Sequence, residues 1–107
     1  MADPKIIEIL KEYLAELQHK GLNIKKAYLY GSQANGTATE ESDIDIMLIS
    51  PLFDGDTDRY IPDIWLSPNR TKNKIEPVAV GEKRFISDNI SPLLEIVRRE
   101  GIEIPTN

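Results

Sequence analysis

Tyr28-Leu29-Tyr30-Gly31-Ser32 and, ten residues further on, Asp43-Ile44-Asp45-Ile46 are the segments that decide how this chain is read. The first ends a β-rich run, Ala27-Tyr28-Leu29-Tyr30, which reads as a strand from about Ile24 that stops at Gly31-Ser32. The second opens a strand over Asp43 to Ile49, with Ile44, Ile46 and Leu48 on one face and Asp43, Asp45 and Met47 on the other. Residues i and i+2 of a strand lie roughly 7 Å apart at Cα on the same side, so the two carboxylates can share a hard cation or a pair of them. Left uncompensated, two like charges that close either raise a pKa or recruit a metal. Gly31 suits a turn at which backbone N–H groups approach an anion, and the Ser32 hydroxyl adds a donor. Together the two segments describe a metal-bound phosphate site.

Around this centre the chain alternates helix and strand signals. Asp3-Pro4 is an N-cap followed by proline at the first helical position, and Ile6, Ile9, Leu10, Tyr13, Leu14 and Leu17 keep helical spacing up to Gly21. Pro51 closes the second strand. Asp54, Asp56 and Asp58 lead into a helix expected near 57–66, ended by Ser67-Pro68-Asn69. Ile75 to Val80 reads as a third strand, and Ser91-Pro92 opens a last helix with Arg98 and Arg99 at its C-terminal end. The order helix, strand, strand, helix, strand, helix predicts an α+β fold, a small mixed sheet packed against helices. At 107 residues, a single domain over 1–107 is expected.

Composition narrows the functions further. The net charge of −5 is concentrated in residues 27–66, where Arg59 alone faces eight acids, while the flanking thirds each carry +1. An acidic chain with no basic stripe is a poor candidate for gripping a nucleic-acid backbone. Absence of cysteine excludes disulfides, thiol catalysis and Cys-based zinc sites. No apolar run approaches a membrane span, and a cytoplasmic protein is expected.

Other motifs fail on inspection. Gly31 and Gly36 have the outer spacing of a Walker A loop, but Thr37-Ala38 stand where that loop needs Lys and then Ser or Thr. Asp54-Gly55-Asp56-Thr57-Asp58 begins like an EF-hand loop, yet Arg59 and Trp65 replace its Gly and Glu, and helix capping is the better reading. His19, the single histidine, reads as a surface residue near a helix end, and Trp65 with Ile61 and Ile64 as packing.

The pattern Gly-Ser, ten residues, Asp-x-Asp after a hydrophobic strand resembles the signature of the minimal nucleotidyltransferases, in the polymerase-β-like superfamily. The likeness includes Gly36 and extends to Ile75-Glu76-Pro77, where the family brings a third carboxylate, and to Leu93–Ile104, which resembles its last helix. It implies a magnesium-dependent transfer of AMP from ATP to a hydroxyl. Asp43, Asp45 and Glu76 would then be the catalytic, metal-holding residues for two Mg²⁺ ions. Gly31 and Ser32 would hold the nucleotide phosphates, with Lys74, and less so Arg70 and Lys72, available to the triphosphate. For so short a chain it implies an acceptor supplied by a partner, typically a small helical HEPN-type toxin that such proteins neutralise as antitoxins. The alternatives are a non-catalytic antitoxin that covers its partner, using the Gly101–Asn107 tail and the apolar residues near Trp65, or a homodimer that modifies a small molecule.

Overall fold

The computed structural model describes residues 2–106. Its centre is a four-stranded mixed sheet in the order β3-β2-β1-β4, formed by β1 (Lys26–Tyr30), β2 (Ile44–Ser50), β3 (Ile75–Gly81) and β4 (Ile102–Ile104). β1 runs antiparallel to both β2 and β4, and β2 runs parallel to β3. The helices are α1 (Pro4–His19), α2 (Ser32–Asn35), α3 (Ile61–Trp65), α4 (Pro68–Asn73), α5 (Glu82–Ser87) and α6 (Pro92–Glu100). Two 3₁₀ turns, Pro51–Asp54 and Thr57–Arg59, lie between β2 and α3. The expected mixed α+β architecture is the one found.

Period-two alternation in the strands sorts side chains onto two cores. Ala27, Leu29, Ile44, Ile46, Leu48 and Ile104 pack with Leu10, Tyr13, Leu14 and Leu17 of α1. Tyr30, Met47, Ile49 and Val80 pack on the other face with Leu94 and Val97 of α6. The helices start where their caps dictate. Asp3 accepts a hydrogen bond from the Lys5 amide at 2.9 Å, and Ser91 caps α6.

The expected helix over 57–66 is interrupted. Pro62 sits in the first turn of α3, so the segment divides into a 3₁₀ turn and a five-residue helix that meet at Tyr60. Ser67-Pro68-Asn69 ends α3 but also begins α4, because Ser67 is an N-cap that accepts from the Arg70 amide. The same hydroxyl donates to Glu16 at 2.6 Å, and Asn69 donates to that carboxylate at 2.8 Å, tying α4 to α1. Burial opposes ionisation of Glu16, but bonds from Ser67, Lys20 and Asn69 outweigh it and hold the carboxyl below its ordinary pKa.

The C-terminal expectation is corrected in one place. The last helix ends at Glu100, and the residues after it return as β4 instead of extending to Ile104. Over its described part the Gly101–Asn107 tail is tied to the fold at Ile104, which is fully buried, and at Thr106, which accepts from Gln18, while Glu103 and Pro105 are exposed. Near Trp65, Ile64 is buried and its carbonyl accepts from the Tyr13 hydroxyl at 2.8 Å, whereas Leu66 is exposed. Replacing Ile104 with Ala should lower unfolding free energy by about 2–4 kcal/mol in urea denaturation, the usual loss for a buried isoleucine. A loss below about 0.5 kcal/mol would mean that the strand contributes nothing to the core.

Candidate active site

Register assembles the site. Across β1 and β2, Tyr30 pairs with Asp45, and across β2 and β3, Asp45 pairs with Glu76, so the three form one row over three strands. Paired residues project to the same face, here the face of Met47 and α6. Asp43 lies two residues before Asp45, just ahead of β2. Asp45 and Glu76 are half-buried and Asp43 is exposed. Pro77 is accommodated because β3 is an edge strand. The entry to β3 is fixed by Lys74, the one non-glycine residue with positive φ among those described (57°), whose carbonyl accepts from the Ile44 amide at 3.0 Å.

Gly31 makes the turn out of β1 with φ of 75°, a conformation unfavourable for other residues. It has a second reason to be glycine: a Cβ there would lie 2.6 Å from Oδ2 of Asp45. The backbone of the turn and the carboxylate are thus in contact. The Gly31 carbonyl accepts from the amides of Ala34 and Asn35, closing the short helix α2, and Gly36 ends it in the left-handed region. As first residues of a helical turn, Ser32 and Gln33 have N–H groups without carbonyl partners within that helix.

The electrostatics of the row are repulsive. Burial, then Asp43, then Glu76 push the Asp45 carboxyl above its ordinary pKa. Burial together with Asp45 and Glu76 pushes the Tyr30 phenol up to about 12. Among the described residues none of the three carboxylates forms a salt bridge, nor do any three acidic or histidine side chains converge as a ready-made metal cage. The donor chemistry nevertheless fits a hard cation: carboxylate oxygens only, lacking positive charge, in the number Mg²⁺ takes while keeping its own waters.

Of the residues expected at the site, Asp43, Asp45, Glu76, Gly31 and Ser32 are brought to one end of the sheet. Lys74 is exposed and lines, with Lys72, Gln33, Ser42 and Ile44, a cleft of about 480 Å³ bordered by the start of α1. Arg70 is committed elsewhere, donating to the carbonyls of Trp65 and Ile75 while its guanidinium lies 4.7 Å from the Trp65 ring centre. His19 is exposed at the end of α1. Sequence reading passed over Tyr30 as a polar group at this site. Its position one residue before the turn, on the Asp45 face by alternation, is the signal that marks it.

Residues 7–96 match the nucleotidyltransferase domain family, and the chain belongs to that family. Its fold is similar to the crystal structure of a candidate nucleotidyltransferase from Sulfolobus solfataricus, with a TM-score of 0.61 at 16% identity over 92% of this chain and 78% of that one. No curated protein matches the chain in sequence. Among the described residues no helix is long and apolar enough to cross a membrane.

The raised Asp45 pKa has a sign that can be tested. Its ionised form is disfavoured in the folded state, so at pH 7 the metal-free fold bears a cost that the neutral Asp45→Asn variant escapes. The variant should melt at higher temperature than wild type at pH 7. Its advantage should shrink as pH falls through the elevated value and vanish below the ordinary 3.8. Thermal melts across pH 3 to 8 measure this, and an equal advantage at every pH would contradict it.

Proposed function

We propose that this nucleotidyltransferase is Mg²⁺-dependent and moves AMP from ATP onto a hydroxyl of a partner protein. The observation that carries the reading is the uncompensated set Asp43, Asp45 and Glu76 at the end of the sheet, with Gly31 against Asp45. Asp43, Asp45 and Glu76 would hold two ions. Bound there, the metals would neutralise phosphate charge and make the attacking hydroxyl more acidic. Gly31 and Ser32 would hold the phosphates through backbone N–H groups and the Ser32 hydroxyl. Lys74 would add a cation at this end of the sheet. Glu76, on the edge strand, would orient the acceptor by accepting its hydroxyl proton in a hydrogen bond. The acceptor oxygen then bonds to the α-phosphorus, the bond to pyrophosphate breaks, and the proton leaves through carboxylate or water.

The described residues form one sheet with its covering helices, and we assign the acceptor to a second protein, a small helical HEPN-type toxin for which this chain would act as antitoxin. Incubation with ATP, Mg²⁺ and the product of the adjacent gene should add AMP-sized mass to that partner, and the double variant Asp43→Ala, Asp45→Ala should abolish the gain. Binding of Mg·ATP with no mass gain on the partner would overturn the protein-acceptor reading. ATP consumption with small alcohols alone would then point to a small-molecule acceptor.

A further inference from the structure

Tyr30 carries a hydroxyl that the fold does not use. Its ring is buried, 9% exposed, in the core beneath α6. Tyr13, the other deeply placed tyrosine, spends its hydroxyl on the Ile64 carbonyl. The Tyr30 hydroxyl makes no comparable bond among the described residues. Every buried side-chain N or O atom there has a partner, so this unpartnered oxygen retains access to solvent. The register puts Tyr30 beside Asp45 and, through it, in line with Glu76. Paired residues of neighbouring strands project to the same face, so Tyr30 shares the face of the two carboxylates.

All other side chains of the row are carboxylates, which as anions accept hydrogen bonds and donate none. A phosphoryl group bound over such a row needs donors. We infer that Tyr30 is a further substrate-binding residue, whose hydroxyl donates a hydrogen bond to an oxygen of the phosphate group held against Asp45 and Glu76. This rests on the proposed nucleotide site and adds to it a neutral donor from β1, on the opposite side of Asp45 from Glu76. The ring fixes the hydroxyl through packing, so little freedom is lost when it engages the ligand.

The test uses Tyr30→Phe, which keeps the ring and removes only the oxygen, with Tyr13→Phe as a control for loss of a structural hydroxyl. Calorimetric titration of the full chain with the non-hydrolysable α,β-methylene analogue of ATP, in Mg²⁺, reads affinity without an acceptor. Tyr30→Phe should bind roughly tenfold more weakly, as expected for a hydrogen bond to a charged group. Its melting temperature and its Mn²⁺ affinity, by electron paramagnetic resonance without nucleotide, should match wild type. Tyr13→Phe should melt lower yet bind the analogue normally. Equal affinity of Tyr30→Phe and wild type for the analogue overturns the assignment of Tyr30 alone. Wild-type protein that binds no analogue overturns the nucleotide site itself, and this assignment with it.

Discussion

The pairing of β2 with its two neighbours is the constraint on which the rest depends. Its residues contribute to both cores, and its register decides which. Ile44, Ile46 and Leu48 lie beneath α1 while Met47 and Ile49 lie beneath α6, so a shift of one residue would exchange the two sets and bury Asp45 under α1. The hydrophobic pattern thus holds the carboxylates in place. Asp45 faces Tyr30 and Glu76 because the isoleucines on either side of it have nowhere else to go.

What the sequence made legible follows from that. Strands β1, β2 and β3 and helices α1 and α6 are periodic and bounded by Pro or Gly, and their positions were readable within a few residues. The elements that escaped are short. Helices α2, α4 and α5 have four to six residues, too few for a period to register. β4 has three residues and is held by pairing with β1, a tertiary contact that leaves little local signature. Ser67-Pro68 carries both meanings at once, the end of one helix and the cap of the next, and the Arg70 amide bonded to Ser67 shows that the second helix forms, with the bonds from Ser67 and Asn69 to Glu16 tying it to α1.

The site was legible for a different reason. Gly31, Asp43 and Asp45 follow from strand periodicity and turn chemistry, whereas Glu76 follows from the register of a strand thirty-one residues later, which local pattern does not encode. Arg70 shows the opposite case. Its charge suggested a ligand contact, but a guanidinium that caps the Trp65 carbonyl and covers the indole is part of the packing between α3, α4 and β3. The identity of a cation in sequence did not reveal whether its donors were already spent.

The parallel join of β2 to β3 also bears on how the row of side chains is assembled. Parallel strands cannot be linked by a tight turn, and here the link runs from Pro51 through Lys74, including both 3₁₀ turns, α3 and α4. Asp45 and Glu76 therefore meet only after that whole crossover has folded back and Lys74 has delivered its carbonyl to Ile44. Partly folded forms, even with the β1–β2 hairpin complete, would hold the two aspartates without the glutamate. Closure of the crossover is what brings Glu76 to the row, a long-range contact that helix or strand content alone does not report.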